Sequence, residues 1–231
     1  MLYLYAIFEA PVPAKSLPAG IGGAATLFLE SRGLACAVSA TADAAVAPEP
    51  SQVWRHQDVV AALMEGRPVL PLRFGTLVEN SGACERLLAH NHAVLIAQLD
   101  RVRHCVEFAL RVSGMPDTAD PVFDPGSGSA ALGPGASHLR ALARRERNWP
   151  RSTADFPHDD LSAHAVSRLL WAHSASQTDL RASFLVQRHS THGFLGDVAV
   201  FQRRRPDLGI TVTGPWPPYS FSDPGFLGDG G

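Results

Sequence analysis

The chain has 231 residues, of which 45% are hydrophobic and 18% are charged, and its formal net charge is −2. This length can bury a sizeable core in one large domain or two small ones, and the composition is that of a globular protein. The small net charge gives no general attraction to nucleic acids or anionic membranes. The N-terminus, MLYLYAIFEAPVP, is too short for a signal peptide or a membrane span, so we expect a soluble cytosolic protein.

Lysine, cysteine and histidine usage argues against several kinds of active site. Lys15 is the only lysine, and its context, PVPAKSLPAG, matches no phosphate-binding, Schiff-base or Ser-x-x-Lys motif. Cys36, Cys84 and Cys105 share no Cys-x-x-Cys spacing and are predicted to be buried free thiols. The histidines are scattered without a convincing set of metal ligands. We therefore predict no catalytic residue, no cofactor and no metal.

The first hundred residues predict alternating strands and helices. Branched and aromatic residues predict strands at residues 2–8 and 34–39, with a short helix between them at residues 24–31. Ser51 is the expected N-cap of a helix that ends at Glu65, before a glycine.

A second strand-and-helix pair follows. The segment RPVLPLRFGT, residues 67–76, predicts a strand in which Pro71 requires an edge position or a bulge. Ser81 is then predicted to cap one long helix that reaches Leu99.

The second half of the chain begins with a clear alternation. Residues 105–112 place Val106, Phe108, Leu110 and Val112 on one side and polar residues on the other, which is typical of a half-buried antiparallel strand. The remaining predictions are a loop at 113–135, helices at 138–149 and 159–173, a strand at 183–187, a helix at 191–204 and a final strand around 210–212. This order predicts an α+β unit with helices on one face of a small sheet.

Two stretches are candidates for binding a partner. One is a basic run, which could contact nucleic acid, an acidic partner or only solvent; it contains Arg140, Arg144, Arg145, Arg147 and Arg151. The other is TGPWPPYSF, residues 213–221, whose three prolines exclude a helix or a central strand. That stretch could be a ligand for a proline-binding domain, a free aromatic tail, or a rigid strap across the protein.

Five segments together resemble one known family. They are MLYLYAI, VVAALMEGRPVLPLRFGT, VEFALRV, ASFLVQ and TGPWPPYSF, and they occur in the order and spacing of the gas vesicle GvpL/GvpF family. The resemblance extends from Leu2 to Phe221. The linker DPVFDPGSGSAALGPGASHL is looser than the corresponding part of that family, and the sequence does not separate the L and F subtypes.

The resemblance implies a fold and a domain organisation. It implies two α+β domains, at residues 1–100 and 101–213, the second a modified ferredoxin-like fold with additional helices. It also implies that a tail, residues 214–231, packs between the domains. In that position the rings of Trp216 and Tyr219 would be buried. The tail residues concerned are Pro215, Trp216, Pro217, Pro218, Tyr219 and Phe221.

The resemblance also implies a function. The family is a non-enzymatic accessory group for gas vesicle assembly, cytoplasmic or on the vesicle, whose members contact the hydrophobic shell protein GvpA and other accessory proteins. The candidate partner-binding residues are Pro71, Arg73 and Phe74 at a sheet edge, and Arg140, Arg144 and Arg145 on the basic helix. The resemblance implies no nucleic-acid or membrane partner. The alternatives are an Arg-rich nucleic-acid-binding domain and a small-molecule enzyme whose site the sequence hides.

Overall fold

The computed structural model describes residues 1–14, 16–114, 161, 163–172 and 180–222, which form a mixed α/β fold with two antiparallel sheets. The strands are β1 (Leu2–Glu9), β2 (Thr26–Ser31), β3 (Leu34–Ala40), β4 (Leu70–Pro71), β5 (Leu77–Val78), β6 (Cys105–Ser113), β7 (Ala165–Ala172), β8 (Leu180–Gln187) and β9 (Gly209–Trp216). The helices are α1 (Pro50–Met64), α2 (Ser81–His90), α3 (His92–Val102) and α4 (Thr191–Arg204). Short 3₁₀ turns occur at Ile21–Gly23, Arg188–Ser190 and Tyr219–Phe221.

The first sheet is covered by helices on both faces. Its strand order is β2-β3-β1-β4, and β5 also pairs with β1. Along β3, Leu34, Cys36 and Val38 belong to a core cluster with α2 and α3, whereas Ala35 and Ala37 belong to a cluster with α1. Because successive side chains of a strand point to opposite faces, β3 contributes to the core on each face of the sheet and is almost entirely buried.

The predicted helix at residues 24–31 is wrong, because this segment is strand β2. It pairs antiparallel with β3 over its whole length. The connection is Arg32 and Gly33, which have φ values of 53° and 81°. A two-residue turn with positive φ at both positions is the connection that suits the twist of a hairpin, and glycine adopts it without strain.

The predicted long helix from Ser81 to Leu99 is two helices that meet at Asn91. The Asn91 backbone leaves the helical region, with φ −101° and ψ 13°, and its side-chain amide donates to the Leu87 carbonyl at 2.9 Å. The N-cap of α2 is Asn80 rather than Ser81, because Asn80 Oδ1 accepts from the Ala83 N–H at 3.0 Å.

The second sheet has the strand order β7-β8-β6-β9. The predicted helix at 159–173 is wrong over residues 165–172, because Ala165–Ala172 is strand β7 and pairs with β8. The helix predicted at 191–204 is confirmed as α4. The predictions at 138–149, and at 113–135 beyond Gly114, lie outside the described residues.

One face of the second sheet is the apolar face predicted from the alternation in β6. Val106, Phe108, Leu110 and Val112 pack with β8 residues and α4 in a single cluster. The other face is divided. Its end near Cys105 and Leu185 joins the core cluster of the first sheet, and the remainder faces a cavity. The two sheets therefore share one apolar cluster.

Candidate functional site

The segment at residues 69–76, predicted to bind a partner, is largely buried. Pro71 lies in β4, at the end of the strand order, where its missing N–H removes no bond from the sheet interior. It is nevertheless buried, as are Val69, Leu70 and Leu72. Within residues 69–74 only Arg73 is exposed and Phe74 is half-buried. The surface that this segment offers to a partner is therefore much smaller than expected.

Phe74 belongs to an aromatic cluster inside the first half of the chain. Its ring centroid lies 5.9 Å from those of Tyr3 and His56, with edge-on geometry in both cases. The Tyr219 ring reaches the same cluster, 6.1 Å from His56. Such contacts contribute to stability beyond the area that they bury. Phe74 thus has a clear packing role, whatever else it contacts.

His56 is the buried polar centre of this cluster. The Tyr3 hydroxyl accepts from the Gly75 N–H at 3.0 Å and lies 2.9 Å from His56 Nδ1, to which it can donate. Burial lowers the pKa of His56 to about 4, against a smaller opposing effect of the Leu72 backbone. Burial also raises the pKa of Tyr3 and Tyr219. All three side chains are therefore neutral at pH 7.

The described part of the tail extends to Ser222 and connects both halves of the chain. We call residues 217–222 the strap. Pro217, Pro218 and Phe221 are buried, and Phe221 lies in the apolar cluster shared by the two sheets. The Tyr219 hydroxyl donates to Gln57 Oε1 on α1 at 3.0 Å.

Trp216 differs from the prediction. Its ring was expected between the domains, but the residue is 37% exposed and ends the strand β9. Its indole N–H donates to Thr213 Oγ1, only three residues away, at 3.2 Å. The chain before the strap therefore remains in the sheet. Gly214 is required there, because a Cβ would lie 2.7 Å from the Glu107 carbonyl oxygen.

Glu107 fastens the strap to the second sheet. Its Oε1 accepts from the hydroxyls of Ser183, at 2.7 Å, and Ser220, at 2.6 Å. Its Oε2 accepts from the Ser220 backbone N–H at 2.8 Å. The carboxylate is 5% exposed, and three donors compensate its lost hydration. The alternation in β6 placed Glu107 on the polar face, but nothing in the sequence indicated that a serine 113 residues away would bury it.

Beside this carboxylate lies an open cavity of about 600 Å³ on the same face of the second sheet. Its lining residues are Glu107, Ala109, Leu110, Arg111, Arg181, Ala182, Ser183, Thr211, Thr213 and Ser220. Arg111 and Arg181 are directly opposite each other in the β6–β8 ladder, and both are exposed. The cavity therefore has a basic end and a carboxylate end.

The described residues do not assemble a metal site. No group of three or more histidine, cysteine, aspartate or glutamate side chains suited to a metal occurs in this part of the chain. Cys36, Cys84 and Cys105 are buried free thiols, as predicted. None of the helices in the described part of the chain is long and apolar enough to cross a membrane. Arg140, Arg144, Arg145, Arg147 and Arg151 lie outside the described residues.

Comparison with known proteins identifies the family. The model of the GvpL/GvpF family of gas vesicle synthesis proteins matches residues 1–223. The chain belongs to this family. It is 28% identical to gas vesicle protein L of Streptomyces sp. (strain CB03234) over 180 residues, which cover 72% of this chain and 67% of that protein. It is 25% identical to gas vesicle protein F of the same strain, covering 95% of this chain and 98% of that protein.

Solved structures of GvpF share the fold. The crystal structure of GvpF from Anabaena sp. PCC7120 matches with a TM-score of 0.71 and 20% identity, covering 96% of this chain and 95% of that one. GvpF from Microcystis aeruginosa matches with a TM-score of 0.71 and 18% identity, covering 96% and 98%. The mixed α/β fold of this chain is therefore shared with GvpF.

Proposed function

We propose that this GvpL/GvpF chain is a non-enzymatic accessory protein for gas vesicle formation, which binds the shell protein GvpA and other accessory proteins during nucleation and assembly. The observation that carries the proposal is the family match over residues 1–223, supported by relatives named gas vesicle proteins L and F. We place the protein in the cytoplasm and on the growing vesicle, as a minor component of it.

The proposal includes an architecture of two domains, at residues 1–100 and 101–213, with the tail between them. The order β7-β8-β6-β9, with α4 between β8 and β9, supports a ferredoxin-like second domain. Strap contacts to Gln57 on one side and to Glu107 on the other support the interdomain role of the tail.

The absence of catalysis is also part of the proposal. Glu107 is the buried carboxylate beside the cavity, and each of its oxygens already accepts hydrogen bonds from the protein. His56 is 3% exposed and packed among aromatic rings. A general acid or base must reach a substrate proton, which neither group can do in this arrangement.

For the contact with GvpA we propose the surface around Arg73 and Phe74, with the basic run at Arg140, Arg144 and Arg145 as the second surface. A shell protein that awaits assembly exposes apolar strands, which associate without control unless they are held. Arg73 is exposed next to the half-buried Phe74, while Pro71 is buried, so Arg73 offers a charge beside one partly accessible aromatic ring.

Two experiments test these assignments. In a gas-vesicle-forming host that lacks its own GvpL/GvpF gene, the wild-type chain should restore vesicles visible by electron microscopy.

In co-expression pull-downs, Arg73→Glu should reduce GvpA capture, whereas Arg55→Glu, an exposed site on α1, should not. Loss of capture only on neutralising Arg140, Arg144 and Arg145 would move the contact to the basic run. If the wild-type chain captures no GvpA, the partner assignment fails.

A further inference from the structure

The cavity on the second sheet is a trough whose two ends differ in charge. Arg111 and Arg181 form one end, and because they are a directly opposed pair, their Cα atoms are about 5 Å apart. Glu107 lies at the other end, four residues earlier on β6 and therefore about 13 Å away. Two arginines whose Cα atoms lie this close can direct their guanidinium groups at one carboxylate and hold it through several charge-assisted hydrogen bonds.

Hydroxyl groups occupy the length of the trough between these ends. Thr211 and Thr213 line it from β9, and Ser183 lines it from β8. Thr211 and Thr213 are two residues apart on β9, so they lie on the same face of the sheet as Ser183 and Ala109. The small side chain of Ala109 leaves space above the middle of the sheet. A floor of this length and periodicity matches an extended peptide of about four residues.

We propose that this trough binds an extended acidic segment of a partner protein, whose carboxylate is held between Arg111 and Arg181. The identity of that partner as a component of gas vesicle assembly rests on the proposed function. The charge distribution favours a peptide over a nucleic acid. A nucleic acid would also place phosphates beside the Glu107 carboxylate, where like charges repel. A peptide needs only one acidic side chain, at the arginine end.

The test is a titration of the ¹⁵N-labelled full chain with acetyl-Ala-Ala-Glu-Ala-Ala-amide, followed by amide chemical shifts. The peptide should shift the amides of Ala109, Arg111, Arg181 and Thr213. Replacement of both arginines, Arg111→Ala with Arg181→Ala, should raise the dissociation constant of the peptide about tenfold. The matched control, Arg55→Ala with Arg203→Ala, removes the same charge from exposed helix positions and should bind as the wild type does.

Three further arms make the result decisive. Ala109→Trp fills the floor without a change of charge and should block binding. The peptide with glutamine in place of glutamate should bind about tenfold more weakly to the wild type and equally weakly to the double variant. Sodium acetate and inorganic phosphate test for a free-anion site. If either anion shifts the same amides with the dissociation constant of the peptide, the site binds small oxyanions and the proposal fails.

The proposal also fails if the wild type does not bind the peptide, or if the double arginine variant binds it unchanged. These failures are distinct from failure of the proposed function. A wild-type chain that restores vesicles but whose trough does not bind would overturn this inference alone. A chain that binds the peptide but restores no vesicles would overturn the assembly role.

Discussion

At the scale of single residues, Glu107 is the polar side chain that anchors the tail to the second sheet. Its carboxylate accepts from the Ser220 N–H and from the hydroxyls of Ser183 and Ser220. Glu107→Ala leaves these buried donors without a charged acceptor, so we expect a loss of about 2–3 kcal/mol in the free energy of unfolding, measured by urea denaturation. Glu79→Ala, at an exposed site, should change it by less than about 0.5 kcal/mol. Equal effects of the two substitutions would show that the strap is not held at Glu107.

His56 gives the protein a specific dependence on pH. Its folded pKa of about 4 is below the ordinary value of 6.5, so the folded state disfavours the protonated form. The contribution of His56 to stability is therefore fully present above pH 6.5 and is lost as the pH falls towards 4. It amounts to about 3 kcal/mol over that window. Urea unfolding between pH 6.5 and 5, where few carboxylates titrate, should show this decline.

The control for this effect compares two histidines. His56→Phe should flatten the decline between pH 6.5 and 5, even though the loss of the Tyr3 contact lowers stability at every pH. His90→Phe, at an exposed position, should leave the slope as in the wild type. A wild-type slope that survives His56→Phe would assign the titration to another group.

At the scale of elements, the strap buries the ring of Phe221, whereas the ring of Trp216, just before the strap, is exposed. Phe221→Ala removes a side chain that is 4% exposed in the shared core, and such truncations cost about 3–5 kcal/mol. Trp216→Ala removes a larger ring that is 37% exposed and should cost about 1 kcal/mol or less. Thermal unfolding of both variants tests the strap, because a free tail would make the two substitutions equivalent.

The start of α2 tests which residue caps that helix. Asn80→Ala removes the acceptor of the Ala83 N–H and should cost about 1 kcal/mol. Ser81→Ala should be nearly neutral, because Ser81 is already inside the helix. If urea denaturation shows a larger loss of stability for Ser81→Ala than for Asn80→Ala, then Ser81 is the N-cap, as predicted from the sequence.

The elements that the sequence predicted correctly are those with a strong local pattern. Strands β1, β3 and β6 and helices α1 and α4 follow from alternation or from a helical apolar face. The errors at β2 and β7 occurred where apolar residues fit either period, and pairing with β3 and β8 decided the outcome. The cavity could not be predicted, because Arg111 and Arg181 are 70 residues apart and only the β6–β8 register brings them together.

At the scale of the whole molecule, the two sheets are joined through one apolar cluster. Leu4 and Leu95 from the first half pack in the same cluster as Cys105, Leu185 and Phe221 from the second. A shared core of this kind couples the unfolding of both halves, unlike the small polar contact that allows domains to move independently. We therefore expect the described sheets to unfold as a single cooperative unit.

Native-state hydrogen exchange tests this coupling. Leu63→Ala removes a buried side chain from the cluster between β1 and α1 and should cost about 2–5 kcal/mol. If the molecule is one unit, the most protected amides of β8 must lose as much exchange free energy as those of β1, because both exchange through the same global opening. Phe201→Ala, from the cluster under α4, is the reciprocal variant and should lower the protection of β1 equally. Protection of β8 that is unchanged by Leu63→Ala would mean that the halves open separately, and that the shared cluster and the strap do not couple them.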